Sequence, residues 1–317
     1  MQLYALDPGE PIGPAIAAAL EEPLAPLEER RFEDGERKLR PLQDPHGHEA
    51  VVVAGLHGGP VQSPHDRLWR LMLLAATLRD HGAARVTAVI PYLAYARKDR
   101  RTQPFDPLSL RVLAQALEST GLAQLIVLEA HDASAFENAF RVPVVQLEAW
   151  HAFGAIALEQ ARAGPLAVAS PDPGGAKRAL RWHAALVERL GQPVGFALVD
   201  KRRSAGVLTG GHLVAGEVEG RTVLLLDDIV ATGHTLVQAA AALKRAGARA
   251  VIGLAAHGLF TEGAAQVLDH PALDAIVVTD SVAAWRLPAG GPVAARLQVV
   301  SAAPLLAHAV ASATSRR

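Results

Sequence analysis

The feature that most restricts what this chain can become is the stretch from Arg221 to Gly247, RTVLLLDDIVATGHTLVQAAAALKRAG. Val223 to Leu226 is an apolar run of strand length, Asp227 and Asp228 stand where that strand should end, and helical apolar spacing runs from Leu236 to Gly247. Strand, acidic pair, tight turn and helix, in that order, make a cradle for a phosphate and a sugar.

The two ends of the cradle do different chemistry. Thr232, Gly233, His234 and Thr235 place backbone N–H groups and two hydroxyls at a helix N-terminus, where unpaired donors and the helix dipole favour a phosphate monoester. Gly233 allows a close backbone approach. Asp227 and Asp228 lie on the strand side, placed to accept hydrogen bonds from vicinal sugar hydroxyls or to hold Mg²⁺. A phosphorylated pentose satisfies both ends.

Asp at a strand end and Thr as a helix cap are ordinary features of buried parallel strands. Here the apolar run, the acidic pair and T-G-x-T occur together at fixed offsets, which favours the ligand reading. DDIVATGHT also resembles the phosphoribosyl-diphosphate (PRPP) binding motif of the phosphoribosyltransferase fold family. Two residues depart from it. Ala231 stands where many members carry a third acid, which removes a possible base. His234 stands where Gly or Lys is commoner, and it either crowds the phosphate loop or adds a donor to it.

Composition narrows the class. At 317 residues, half of them hydrophobic and 20% charged, the chain is long enough for two globular domains, each with its own core. Aromatics are only 4%, and Ala, Leu and Val at the apolar positions suit helices packed on a parallel sheet. No run approaches the roughly 20 apolar residues that cross a bilayer. The start, MQLYALDPGEP, has no basic region before an apolar one, so no signal peptide is read, and the absence of cysteine fits a cytoplasmic protein. A net charge of −1 argues against nucleic-acid and membrane partners. The basic residues cluster as RKDRR at 97–101 and DKRR at 200–203, which suits a compact polyanion.

Along the chain, strands are expected at Leu3–Leu6, Ala50–Ala54, Val86–Ile90, Leu125–Leu128, Val142–Val145, Leu166–Ser170, Phe196–Asp200, Val251–Ala256 and Ile276–Thr279. Helices are expected at Ile12–Leu20, Leu68–Leu78, Leu108–Leu117 and Phe153–Ala161, from PDPGG at 171–175 through Leu190, and near Pro304–Ala313. RRFEDGERKLRP at 30–41 reads as a hairpin turning at D-G, and GVLTGGH at 206–212 as part of a Gly-rich connection. Strand and helix alternating at intervals of roughly 30 residues indicate doubly wound parallel sheets. The expected fold is α/β, with two phosphoribosyltransferase-like domains in tandem over 1–147 and 148–300 and a final helix at about 301–317 packing back on the first.

Six stretches in order, RFEDGE, IPYLAYARKDRR, the strand ending in EAH, ASPDPGG, DKRR and LLLDDIVATGHT, resemble the ribose-phosphate diphosphokinases, or PRPP synthases. The resemblance runs from about residue 3 to 313. It implies transfer of the diphosphoryl group of MgATP to the anomeric hydroxyl of ribose 5-phosphate, giving PRPP and AMP in a homo-oligomer, a dimer or a hexamer. By the same resemblance Thr232, Gly233, His234 and Thr235 take the 5-phosphate, and Asp227 and Asp228 hold the ribose hydroxyls. Lys201 and Arg203 match a catalytic loop whose cations stabilise the transferring group.

Arg97 and Lys98 match the segment on the ATP phosphates, where Lys98 replaces a usual Gln. Phe32, Asp34 and Glu36 match a hairpin that frames adenine from a neighbouring subunit. His131 and Asp172 match the Mg²⁺ positions, and Glu129 replaces a usual Asp. His46, His48, His57 and His65 show no metal-ligand spacing and read as structural or exposed. Two other readings are open: a phosphoribosyltransferase that consumes PRPP, and a catalytically weakened regulatory copy.

Overall fold

The computed structural model describes residues 1–7, 9–204 and 207–314, and of 201–204 and 207–212 the backbone alone. The chain divides into two compact units. One comprises Met1–Glu148, Asp280–Val282 and Ser301–Arg317, and the other Ala149–Thr279 and Ala283–Val300.

In the first unit the elements are β1 (Gln2–Ala5), α1 (Ile12–Leu20), β2 (Leu27–Arg31), β3 (Arg37–Pro41), β4 (Glu49–Val53), α2 (Pro64–Asp80), β5 (Arg85–Ile90), α3 (Ser109–Ser119), β6 (Gln124–Leu128), α4 (Ala133–Ala139) and β7 (Val144–Leu147). Five of the strands form a wholly parallel sheet in the order β1-β4-β5-β6-β7. EAVVV, RVTAVI and QLIVL are almost continuously apolar and almost fully buried, as strands covered on both faces must be.

Helix α2 begins at a capping box. The Ser63 hydroxyl accepts from the Asp66 N–H at 3.2 Å, and Asp66 accepts from the Ser63 N–H at 2.7 Å, with Pro64 in the first turn. It stops at His81 and Gly82, whose φ is +80°.

The expected hairpin is present with its strands displaced outward. β2 and β3 form a separate antiparallel pair closing at Arg31 and Arg37, so FEDGE is wholly loop. The Gly35 N–H donates to the Phe32 carbonyl at 3.1 Å, and the φ of +99° at Gly35 is one that glycine accommodates.

The second unit holds α5 (Gly154–Ala163), β8 (Leu166–Ser170), α6 (Ala176–Leu190), β9 (Gly195–Ser204), β10 (Val207–Gly216), β11 (Thr222–Val230), α7 (His234–Arg245), β12 (Ala250–Gly258), α8 (Ala264–Leu268), β13 (Ala275–Thr279) and β14 (Leu297–Val300). Its seven strands run β10-β9-β8-β11-β12-β13-β14, all parallel except β10 against β9. The chain then returns through α9 (Ala303–Thr314), which packs on α1 and on β6 and β7.

Several expectations change. From Val207 the supposed Gly-rich connection is strand β10, antiparallel to β9 with a register shift between Leu208 and His212. β9 continues beyond Asp200, because β10 supplies its ladder. β11 continues through the acidic pair to Val230, pairing with β12 as far as Gly258, and α7 starts at His234, two residues before its apolar stripe. The short elements α4, α8 and β14 add to those read from the sequence. No helix among the described residues is long and apolar enough to cross a membrane.

Strand order decides where a ligand can sit. From β8 the chain winds outward to β9, then returns to place β11 on the other side of β8, with Leu225 opposite Ala169. In open α/β sheets such a reversal marks the place, outside the carboxyl ends of the strands, where ligands bind; here those strands are β8 and β11.

Candidate active site

The acidic pair is built on a rigid support. Val223, Leu224 and Leu225 are fully buried in β11, and Asp228 is also buried, at 5% exposure. The Asp228 N–H donates to Asp227 Oδ1 at 2.9 Å. Burial first, and then the charge and hydrogen bonding of Asp228, hold the Asp227 carboxyl well above its usual range, while Arg178 opposes the shift. The half-buried Asp227 thus meets a like charge in the buried Asp228, which disfavours its ionisation. A cation, or hydroxyls donating to them, would relieve that.

Arg178 escaped the sequence reading. It is a buried guanidinium on α6, in line with the buried Ala179, Trp182 and Leu186. The available signal was an arginine on the apolar stripe of a helix that follows PDPGG.

Beyond β11 the chain turns through Ala231 to Gly233. Gly233 has φ +86°, and a Cβ there would lie 2.6 Å from Leu268 Cδ2. Glycine is therefore required by backbone conformation and by packing on α8. No side chain caps α7, so its leading N–H groups offer their dipole to an anion. Thr232 and His234 are exposed at this mouth, with His234 Nδ1 3.1 Å from Thr232 Oγ1. The histidine thus adds a polar ring to the loop.

The loop after β8 is drawn tight. The Ser170 hydroxyl donates to the Asp172 carbonyl at 2.7 Å, and the Gly175 N–H donates to Asp172 Oδ1 at 3.0 Å. A Cβ on Gly175 would stand 2.7 Å from Ser170 Oγ. Asp172 is half-buried at the carboxyl end of the strand adjoining β11.

The remaining predicted residues are distributed as follows. Arg97 is exposed, beyond Tyr95, whose φ is +62°. Lys98 does not point free: its Nζ lies 2.7 Å from Asp106 Oδ2, which also accepts from the Thr102 and Gln103 N–H groups. Phe32, Asp34 and Glu36 sit on the hairpin loop, where Asp34 Oδ1 accepts from the Glu36 N–H at 3.0 Å and Arg30 lies over the Phe32 ring.

His131 is exposed and follows the buried Glu129, which has φ +48°. The backbones of Lys201 and Arg203 belong to β9, opposite His212 and Leu208, and their side chains lie outside the described residues. Of the early histidines, His57 is buried with its Nε2 3.0 Å from Glu10 Oε2, and His65 meets the Tyr95 hydroxyl. Among the described residues no group of three or more His, Asp or Glu could by itself hold a metal. His131 belongs to the first unit and Asp172 to the second.

Comparison with known proteins bears on the whole chain. Residues 1–121 match the N-terminal domain of ribose phosphate pyrophosphokinase, and 210–310 match the phosphoribosyl synthetase-associated domain. The ribose-phosphate pyrophosphokinase of Thermotoga maritima is 30% identical over 313 residues, 98% of this chain and 94% of that protein. The chain belongs to the ribose-phosphate pyrophosphokinase family.

A second relative, the ribose-phosphate pyrophosphokinase of Granulibacter bethesdensis, is 32% identical over 310 residues, 98% of this chain and 96% of that protein. The crystal structure of phosphoribosylpyrophosphate synthetase from Mycobacterium smegmatis superposes with a TM-score of 0.85 at 26% identity, covering 100% of this chain and 99% of that one. The family, the two-unit α/β architecture and the enzyme class expected from the sequence are thus established. Neither a PRPP-consuming transferase nor a regulatory copy gains support from these matches.

Proposed function

We propose that this diphosphokinase holds ribose 5-phosphate at the carboxyl ends of β8 and β11 and transfers to its anomeric hydroxyl the diphosphoryl group of ATP, releasing AMP. One observation carries the placement. An acidic pair and an uncapped helix start lie a few residues apart at the strand-order reversal of the second unit. In this reading the N–H groups at the start of α7, with Thr232, Gly233, His234 and Thr235, bind the 5-phosphate. Asp227 and Asp228 accept from the ribose hydroxyls, which fixes the attacking oxygen.

Diphosphoryl transfer asks for positioning and for cations on developing charge more than for covalent chemistry. Lys201 and Arg203 are assigned that role. Arg97 and Lys98 are assigned to the ATP phosphates, and Phe32, Asp34 and Glu36 to adenine, supplied to a neighbouring protomer of a dimer or hexamer. The carboxylate chemistry fits Mg²⁺, which needs one or two carboxylates and keeps several waters. His131 and Asp172 are the residues proposed to hold it, and the ion would neutralise charge on the phosphates during transfer. We place the enzyme in the cytoplasm and its domains at 1–147 and 148–300, with the last helix returning to the first.

The test is stoichiometry. With ribose 5-phosphate and MgATP, AMP and PRPP should appear in equal amounts. Consumption of PRPP with a nucleobase, or no turnover in either direction, would replace this reading by one of the two alternatives.

A further inference from the structure

Away from that site, the first unit holds a cluster of buried charge centred on Arg70 of α2, whose side chain is 3% exposed. Its Nε and Nη2 grip the two carboxylate oxygens of Glu29 at 2.8 and 2.5 Å. Its Nη1 donates to Asp7 Oδ1 at 2.8 Å and to Gln62 Oε1 at 2.7 Å, and Nη2 also donates to the Leu6 carbonyl. All five guanidinium donors are used. Arg37 donates to the same Glu29 at 2.6 Å, so one carboxylate ties β2 to both β3 and α2.

The hairpin needs such a fixture. It is a two-stranded sheet apart from the main one, and in its strands only Leu39 is buried. A free two-stranded hairpin is marginal in water, and one buried leucine cannot set its direction. Bidentate, desolvated bonds can, because they are directional where apolar contact is not. Arg70 meets Glu29 two residues before β2 ends, and Phe32 opens the loop that follows.

We propose that Arg70 is a positioning residue for nucleotide binding: through Glu29 it sets the angle of the hairpin and so the placement of Phe32, Asp34 and Glu36. This rests on the reading that the hairpin loop frames adenine. A node serving stability alone would leave affinity for ATP untouched in the folded enzyme, and that is the difference to measure.

The experiment compares KM for ATP, KM for ribose 5-phosphate, kcat and the thermal midpoint in the full-length wild type, Arg70→Met, Arg70→Lys, Glu29→Gln and Phe32→Ala. Expected is a rise of about tenfold in KM for ATP in Arg70→Met and Glu29→Gln, with kcat and KM for ribose 5-phosphate within about twofold. Arg70→Lys, which keeps the charge and loses the fork, should fall between Met and wild type. Should Arg70→Met fail to fold, Glu29→Gln carries the same comparison with nearly unchanged shape. An unchanged KM for ATP in the folded variants overturns the proposal, as does a fall in thermal midpoint with every kinetic constant intact. If Phe32→Ala leaves KM for ATP unchanged, the hairpin has no nucleotide role and the inference goes with it. If Phe32→Ala raises it and the Arg70 and Glu29 variants do not, only the positioning role fails.

Discussion

The N–H of Asp228 closes on Oδ1 of Asp227 at 2.9 Å, so two consecutive acids of one strand share a clasp at the point where the sheet reverses its winding. Burial and the neighbouring charge hold the Asp227 carboxyl above its usual range. A carboxyl with a raised folded pKa contributes stability below its unfolded pKa of 3.8, and that contribution is lost as pH rises towards the folded value. Asp227→Asn should therefore raise the thermal midpoint of the unliganded enzyme at pH 7, with the gain shrinking towards pH 4. The same change should raise KM for ribose 5-phosphate by about tenfold or more, since asparagine cannot accept at both positions.

Lys201 tests the transferring step. A cation that meets charge only as it develops contributes to kcat more than to binding. Lys201→Ala should lower kcat by roughly 10²-fold while KM for either substrate changes less, as initial rates would show. An unchanged kcat would remove Lys201 from the reaction.

The two adjacent cations Arg97 and Lys98 should behave differently. Arg97 is exposed, whereas the ammonium of Lys98 is already 2.7 Å from Asp106. Arg97→Ala should raise KM for ATP about tenfold, and Lys98→Gln by less than about threefold. Equal effects would show that Lys98 leaves Asp106 when ATP binds.

Glu10 contributes to the acid stability of the first unit. Burial alone would raise its pKa, but hydrogen bonds from His57 and Arg67, with their charges, outweigh that and lower it to about 2. A depressed carboxylate stabilises the fold above its unfolded pKa of 4.5, and the contribution is lost as pH falls from there towards 2. Glu10→Gln should cost on the order of 2 kcal/mol at pH 7 and progressively less below pH 4, measured by denaturant unfolding. A pH-independent cost would mean that the charge of Glu10 is immaterial.

What the sequence disclosed follows from how local its causes are. Apolar runs such as LIVL at 125–128 and VLLL at 223–226 announce buried parallel strands because nothing else tolerates them, and PDPGG and T-G-x-T mark the loops that carry Asp172 and Thr232. β10 was hidden because its strand character comes from pairing with β9, against the glycines of its own sequence. β11 outran its apolar run for the same reason, since β12 pairs with it beyond the acids. Arg178 and the Arg70–Glu29 node were invisible because their partners lie on other elements, 41 residues from Arg70 for Glu29 and 63 for Asp7. An isolated arginine in a helix looks the same in sequence whether it faces water or a carboxylate.

Which phosphorus atoms move decides whether a diphosphoryl or a monophosphoryl group is transferred. With ATP labelled at its β-phosphorus and unlabelled ribose 5-phosphate, the label should pass wholly into PRPP and leave AMP without it. Label recovered in ADP, with a sugar bisphosphate carrying none, would contradict diphosphoryl transfer.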